Sequence, residues 1–212
     1  MGEATAQGFS SRAARREHVR RAMVDAALRR FLDAGYEDTT LDDICARLLV
    51  SPRTLQRYVG GKERLALDWQ YRALDRFRRG IAARPPEQLV TGWWRGYLLD
   101  LADRNERNDL SREQHRLVQS VPTLHSRHLS IIREYEDVLT EAIAAEQPQT
   151  GHILPRLTAL VLLGASEAAF DEWVYGGHDR SLRVLSMEAL DAGLAELVPH
   201  WDSPQAGFST NW

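Results

Sequence analysis

Two helix-start signals that lie close together in the first third of the sequence constrain the fold more than any other feature. Thr40 followed by Asp43 makes a capping box, so a helix is predicted to begin near Leu41. Ser51 followed by Pro52 is a second N-cap, with proline at the first helical position. The short chain between the two signals leaves room only for a tight turn. The pattern predicts a helix-turn-helix, whose second helix can enter the major groove of DNA.

The second of these helices is predicted to have one apolar and one polar side. Leu55 and Val59 lie one turn apart and point inward. The residues left outside are Arg53, Thr54, Gln56, Arg57 and Tyr58. Arginine can bridge O6 and N7 of guanine, glutamine can pair with adenine, and the threonine methyl can contact thymine. This side therefore suits DNA base edges; a polar face that contacts only water is the alternative.

Charge is distributed unevenly along the chain. From Ser10 to Gly80 there are 16 Lys+Arg and 10 Asp+Glu, whereas from Ile81 to Trp212 there are 11 and 19. A basic amino-terminal third is expected of a phosphate-binding head, with chance partition of charge as the alternative. We predict four segments: a flexible basic arm (1–15), a helix-turn-helix domain (16–62), a helical body (63–201) and a loose tail (202–212).

The amino-terminal arm is small, polar and basic. Arg12 and Arg15 lie in it and Arg16 directly follows it. Arms of this kind reach phosphates or a minor groove in other helix-turn-helix proteins, and a solvated charge run is the alternative.

The sequence gives little evidence for an enzyme site or a metal site. Cys45 is the only cysteine and falls on the apolar side of the first short helix, so we expect a core residue and no disulfide. His125 and His128 have one-turn spacing, but no third ligand completes a metal site. Glycine-rich phosphate loops and nucleophile motifs are absent from the sequence. We expect no catalytic residue, metal or cofactor.

A membrane location is not expected either. The first residues lack the apolar core of a signal peptide, and the longest strongly apolar run, Ala159 to Ala165, is too short to cross a bilayer. The sequence therefore predicts a cytoplasmic protein with no membrane partner.

The body is predicted to be all-α, because period-2 strand patterns and hairpin signals are missing. Breaks are expected near Pro85-Pro86, Asn108-Asp109, Val121-Pro122, Pro148 to Gly151 and Gly176 to Asp179. A late helix from about Ile153 to Tyr175 is apolar on two sides, and a last helix follows from Ser181 to His200. A helix with two apolar sides needs partners on both. One side can pack in its own core and the other against a second subunit; a fully intrachain core is the alternative.

The head resembles the amino-terminal domain of TetR-type transcriptional regulators over about 50 residues. The residues that carry the resemblance are Gly35, Thr39-Thr40, Ile44, Val50-Ser51, Thr54-Leu55, Tyr58 and Lys62-Glu63. The chain departs from the family pattern at Leu48-Leu49, where Ala-Gly is usual, and at Gln56, Val59 and Gly60-Gly61.

The resemblance implies an all-α regulator that binds double-stranded DNA. It assigns base edges to Arg53, Thr54, Gln56 and Arg57, and phosphates to Thr40, Tyr58 and Lys62. It also implies a homodimer formed by the last two long helices, with candidate residues Leu157, Leu160, Val161, Gly164, Ala168, Leu190, Leu194 and Leu197.

The resemblance further implies an unknown small-molecule effector bound between the middle helices. Candidate lining residues are Trp93, Trp94, Tyr97, Leu101, His115, Val118, Leu124, His128, Ile132, Phe170 and Trp173. Ordinary core packing is the alternative for each of them. The expected function is that of a ligand-responsive repressor on a palindromic operator. A small helical enzyme or ligand carrier with a head that does not bind DNA is the alternative.

Overall fold

The computed structural model describes residues 3–149, 151–177 and 179–201, with side chains for 14–149, 151–177 and 179–195. Over the described residues the chain forms helices and no strand, which confirms the predicted all-α class. The helices are α1 (Glu3–Ala34), α2 (Leu41–Leu48), α3 (Pro52–Tyr58), α4 (Lys62–Ala66), α5 (Asp68–Ala82), α6 (Val90–Glu106), α7 (Ser111–Ser120), α8 (Pro122–Glu146), α9 (Ile153–Tyr175) and α10 (Leu182–Trp201).

The predicted chain breaks fall between helices, except that Pro122 of the Val121-Pro122 break opens α8, and α9 has its predicted bounds. The largest difference is at the start, because α1 begins at Glu3 rather than near residue 17. Residues 3–15, predicted as an arm, therefore have helical backbone. Their alanine content and lack of proline permit this. The flexibility of the arm stays a prediction, and the side chain of Arg12 lies outside the described residues.

The chain divides into two compact units. Unit 1 contains residues up to Arg72 together with Arg112–Leu129, and unit 2 contains Ala73–Ser111 together with the chain from Ser130 onward. The boundary predicted after residue 62 places α7 and the start of α8 in the body, whereas in the structure they group with the head in unit 1. Contacts distant in sequence hold them there: Arg127 Nε donates to Tyr71 Oη at 2.7 Å, and His128 Nδ1 lies 3.2 Å from Gln70 Oε1.

The core of unit 1 is built where α1 packs against α2, α3 and α4. The fully buried side chains in this region are Ala27, Leu28, Phe31, Ile44, Leu55, Leu65 and Leu67. Cys45 is also buried, as predicted, and burial raises the pKa of its thiol. Burying a large apolar side chain stabilises by about 1.5–3 kcal/mol, so these contacts fix the short helices of the head.

In unit 2, α10 packs along α9 and against α6. A buried cluster joins the three helices: Ala102, Ala169, Phe170, Trp173, Val174, Leu182 and Leu185. Gly193 permits close approach of α10 to α9, because a Cβ there would lie 2.9 Å from Val161 Cγ1. The hydroxyls of Thr158 and Ser166 donate to backbone carbonyls within α9, so these polar groups are satisfied in the core.

Taken whole, α9 is long and apolar enough to cross a membrane, although its most apolar run alone is too short. Core helices of globular proteins pass the same test of length and composition. Of its most apolar window, 44% is buried within the protomer. The composition of α9 is therefore accounted for by core packing on one side and an apolar face on the other.

The turn between α2 and α3 has a residue in the left-handed backbone conformation at its centre. Leu49 has φ 53° and ψ 39° and is the one non-glycine residue with positive φ in the described part of the chain. Its N–H donates to Ala46 O at 3.3 Å, and Val50 N–H donates to Cys45 O at 3.1 Å. The Leu49 side chain is 93% exposed. Leu49, which is bulkier than the glycine usual in the family, is therefore accommodated because its side chain points into solvent. The backbone keeps a conformation that favours glycine.

An ion-pair network ties α1 to α5 within unit 1. The Glu17 carboxylate accepts hydrogen bonds from Arg20 at 3.2 Å, from Arg21 at 2.9 Å and from Arg72. Arg20 also pairs with the buried carboxylate of Asp68. Burial by itself raises the pKa of Glu17, but the three arginines outweigh it and lower this pKa to about 2.

We expect Glu17→Gln to destabilise the protein at neutral pH and to lose this effect in acid. A carboxyl whose pKa is lowered on folding stabilises fully above its ordinary pKa, 4.5, and loses that stabilisation as the pH falls towards 2. The side chain is 36% exposed, so solvent screening limits the effect to about 1 kcal/mol. Urea unfolding at a series of pH values measures it, with Asp25→Asn on the same helix as control. An equal difference at neutral and acidic pH would contradict the assignment.

We expect Leu49→Gly to raise the free energy of unfolding by about 0.5–1 kcal/mol. Leucine in the left-handed region costs about 1–2 kcal/mol, and the greater unfolded-state entropy of glycine, about 0.5–1 kcal/mol, offsets part of the gain. Thermal denaturation should show a midpoint higher by roughly 1–4 °C. Leu49→Ala is the matched control, since it removes the exposed side chain but keeps the Cβ that causes the strain. Equal midpoints for the two variants would contradict a backbone origin.

Candidate nucleic-acid interface

The recognition candidate α3 is held by its first residue and by its buried side. Ser51 Oγ accepts a hydrogen bond from Thr54 N–H at 3.1 Å, and Pro52 opens the helix. Leu55 and Val59 are 1% and 8% exposed, which confirms that both point inward. A helix of this length is not stable by itself, so these two contacts fix its orientation.

Three of the four predicted base-facing residues are exposed on α3: Arg53, Gln56 and Arg57. Within the described chain, neither the guanidinium of Arg53 nor the amide of Gln56 is hydrogen-bonded, so both are available to an external partner. Thr54 is half-buried, and its hydroxyl lies 2.9 Å from Ser51 Oγ. Its hydroxyl therefore takes part in the helix cap, and contact of these residues with bases stays a prediction.

Lys62 lies at the start of α4 beside the loop that follows α1. Its Nζ is 4.2 Å from the centroid of the Tyr36 ring and donates to Glu37 O at 3.3 Å. An ammonium group has three donors, so this arrangement orients the lysine and leaves donors for a phosphate. Tyr36 was not predicted as a site residue, because the contact joins positions distant in sequence.

Thr40 is occupied by the capping box that was predicted for it. Its hydroxyl donates to Asp43 Oδ2 at 2.7 Å and accepts from Asp43 N–H at 3.1 Å. The hydrogen bonds from the Thr40 side chain and backbone lower the pKa of Asp43, so this carboxylate is charged at neutral pH. A phosphate contact by Thr40 requires its hydroxyl to turn away from Asp43. Thr40 thus has its single side-chain donor already engaged, whereas Lys62 keeps further donors after its hydrogen bond to Glu37 O.

Two arginines lie close to the ring of Tyr58. The guanidinium carbons of Arg57 and Arg16 are 5.4 Å and 5.8 Å from the centroid of its ring. Arg16, from α1, was predicted only as part of the basic arm. No local signal could have placed it beside α3, because the contact depends on how the helices pack.

The predicted dimer face of α9 is largely uncovered in the protomer. Leu157 and Leu160 are 42% and 46% exposed, and Gly164 and Ala168 are also exposed. Val161 on α9 and Leu194 on α10 are half-buried. The opposite side of α9 lies in the core of unit 2, as predicted for a helix with two apolar sides.

One predicted interface residue is corrected. Leu190 is 0% exposed, so it is a core residue of unit 2 and offers no surface to a partner. Spacing alone placed it beside Leu194, but the packing of α10 within unit 2 turns it inward. The side chain of Leu197 lies outside the described residues.

The predicted effector-binding residues belong to both units. Unit 1 holds His115, Val118, Leu124 and His128, and unit 2 holds Trp93, Trp94, Tyr97, Leu101, Ile132, Phe170 and Trp173. All four in unit 1 are buried. Phe170 and Trp173 pack edge to face in the cluster with Leu101, so for these three the ordinary core explanation accounts for their positions.

Trp93, Trp94 and Tyr97 belong to an aromatic group in unit 2 that also contains Phe77 and Tyr135. Tyr97 Oη donates to Ala73 O at 3.2 Å and lies 3.0 Å from Tyr135 Oη. Burial raises the pKa of Tyr97 to about 12 and raises that of Tyr135 as well, so both hydroxyls stay protonated. Trp94 Nε1 is buried and has no hydrogen-bond partner in the described structure. This group therefore combines packed aromatic rings with an unused donor.

Among the described residues, no group of three or more His, Cys, Asp or Glu side chains could hold a metal ion. The rings of His125 and His128 are 6.2 Å apart.

Two family models match the chain. Residues 23–68 match the model of bacterial regulatory proteins of the tetR family, and residues 99–201 match the MftR C-terminal domain. The first match covers the helix-turn-helix described above, and the second covers most of unit 2.

Solved structures show the same fold. The complex of SmeT, from Stenotrophomonas maltophilia, with triclosan aligns with a TM-score of 0.64 at 17% identity, covering 84% of this chain and 91% of that one. A TetR-like regulator from Rhodococcus sp. RHA1 aligns with a TM-score of 0.55 at 23% identity, covering 86% and 96%.

Sequence similarity extends along the whole chain. The transcriptional regulator TcmR of Streptomyces glaucescens is 30% identical over 215 residues, covering 95% of this chain and 94% of TcmR. These relatives are transcriptional regulators rather than enzymes, and none is described as a ligand carrier. The chain therefore belongs to the TetR family of DNA-binding transcriptional regulators.

Proposed function

We propose that this regulator binds a palindromic operator as a homodimer, represses transcription from it, and is released by a small-molecule effector. One observation carries the proposal: α3 presents Arg53, Gln56 and Arg57 to solvent. Leu55 and Val59 are buried on the opposite side and hold the helix in place. Side chains that can read base edges are thus held on a rigid support, and this is what direct readout requires.

The apolar face of α9 supports a homodimer. The exposed leucines at 157 and 160 are followed at one-turn intervals after 160 by the small residues Gly164 and Ala168, and nothing lies within 4 Å of a Cβ built at Gly164. An apolar stripe around a glycine lets a second helix approach closely. Two subunits with a twofold axis would place two α3 helices on the two half-sites of a palindrome.

Repression follows from occupancy. A dimer that covers successive major grooves excludes RNA polymerase when its operator overlaps a promoter. The solved relative SmeT is described as the repressor of a multidrug efflux pump. In vitro transcription from a promoter that carries the operator should fall as this protein is added; an increase would indicate an activator instead.

The aromatic group of unit 2 supports binding of an effector with a flat apolar part and a hydrogen-bond acceptor. Its walls are Phe77, Trp93, Trp94 and Tyr97, and Trp94 Nε1 is the available donor. The candidates in unit 1 stay predictions. Binding would favour a spacing of the two α3 helices that no longer matches successive major grooves. Aromatic compounds that cause the protein to release the operator should also quench its tryptophan fluorescence. Release without any change in fluorescence would contradict binding at the aromatic group.

A cytoplasmic location follows from the need to reach the chromosome. Fractionation of cells that produce the chain should recover it with soluble protein rather than with membranes.

Selection of bound fragments from random duplex DNA tests sequence recognition directly. We expect a palindrome whose half-sites are separated by about one helical turn, 34–36 Å, or a multiple of it. Gln56→Ala should relax the selected consensus at one position, at a cost of about 1–3 kcal/mol. Lys62→Ala is the matched comparison, since loss of a phosphate contact should weaken binding equally on all sequences. An unchanged consensus for Gln56→Ala would remove this residue from the base-facing set.

Leu160→Glu should dissociate the dimer, because it places a charge in the centre of the proposed apolar interface. Sedimentation of the variant should show a monomer with unchanged helix content, and operator affinity should fall. Leu129→Glu is the control, since it makes the same exchange at a 54% exposed leucine on α8. A dimer that survives Leu160→Glu would contradict the α9 interface.

A further inference from the structure

Helices α1 and α3 bring two guanidinium groups to one tyrosine ring. Arg57 directly precedes Tyr58 on α3, whereas Arg16 belongs to α1 and lies 42 positions before Tyr58 in the sequence. Both arginines are exposed and Tyr58 is half-buried. The contact of Arg16 is therefore produced by the packing of the head and not by local sequence.

These two positive charges are not balanced by a carboxylate among the side chains that the structure describes. The next arginines on α1 are paired: Arg20 with Glu17 and Asp68, and Arg21 with Glu17. For Arg16 and Arg57, by contrast, no carboxylate lies within ion-pair distance anywhere in residues 14–149, 151–177 and 179–195. The tyrosine ring attracts each guanidinium only weakly at an exposed site. Two guanidinium groups beside one ring, with no carboxylate within ion-pair distance of either, make a site that favours an anion.

The donor chemistry of the site suits a phosphodiester. Each guanidinium is a planar fork of N–H donors that matches two oxygens, and the Tyr58 hydroxyl is a further donor. Contact with a ring restricts the guanidinium before it binds, which reduces the entropy lost on contact. Arg57 lies 5.4 Å from the ring of Tyr58, the residue that the resemblance assigns to a phosphate, so a phosphate bound by Tyr58 would also be close to Arg57.

We propose that Arg16, Arg57 and Tyr58 form a single phosphate-binding site that takes a backbone phosphate of the duplex beside the groove entered by α3. This inference rests on the proposed DNA-binding function. It moves Arg57 from the base-facing set to the phosphate set. It also extends the DNA-binding surface from the helix-turn-helix onto α1, so that Arg16 positions the first helix on the DNA backbone.

The test uses the full chain and the duplex obtained by selection. Affinity is measured over a range of salt concentrations for the wild type, Arg16→Ala and Arg29→Ala. Arg29 is an exposed arginine on the same helix that has no contact with Tyr58, so its removal controls for the loss of one positive charge. Arg16→Ala should weaken binding about tenfold and reduce the slope of log affinity against log salt by about 1. Arg29→Ala should leave the slope close to that of the wild type.

Two further measurements separate phosphate contact from base reading. Arg57→Ala should weaken binding on every sequence and leave the selected consensus unchanged. Ethylation of DNA phosphates should reveal one position that blocks the wild type but no longer matters for Arg16→Ala. Circular dichroism and thermal midpoints of the variants report whether the head is still folded.

Three results would overturn the inference. Equal slopes for Arg16→Ala and Arg29→Ala would exclude a phosphate contact by Arg16. A changed base preference for Arg57→Ala would return that residue to the base-facing set. If the wild type bound no duplex at any salt concentration, the proposed function would fail, and the phosphate site would fail with it. Sequence-selective binding with either of the first two results leaves the proposed function standing while removing this site.

Discussion

The position of α3, and with it the candidate DNA-binding surface, depends on the burial of Leu55 and Val59 on the inner side of this helix. A helix of seven residues does not persist alone in water, so its position is set by what it covers. The cap at Ser51 fixes where the helix begins, and the two apolar side chains fix how it is rotated about its axis. Every exposed residue of α3 takes its direction from these contacts, and the contact of Arg16 with Tyr58 exists only because the same core holds α1 beside α3.

Local chemistry explains how much of the fold the sequence predicts. The starts of α2 and α3 follow from Thr40 and Ser51, whose side chains make the capping bonds that their neighbours imply. The bounds of α9 follow because glycine and proline flank a long apolar pattern. These features involve residues within one or two turns of each other, so a pattern in the sequence contains all the information that determines them.

Contacts between distant residues explain what the sequence does not predict. The grouping of α7 and the start of α8 with the head depends on Arg127 meeting Tyr71. The burial of Leu190 depends on the packing of α10 within unit 2. In the candidate site, the exposed side of α3 was predictable from spacing, whereas Tyr36 under Lys62 and Arg16 beside Tyr58 were not. Helical periodicity shows that a residue is on a face, but not which neighbour that face meets.

The left-handed leucine between α2 and α3 separates two properties that usually change together. Because Leu49 projects into solvent and the turn is closed by backbone hydrogen bonds, its identity affects the stability of the head and leaves the exposed side of α3 unchanged. A substitution at this one position can therefore change how much folded protein a cell holds without changing the side chains that α3 presents.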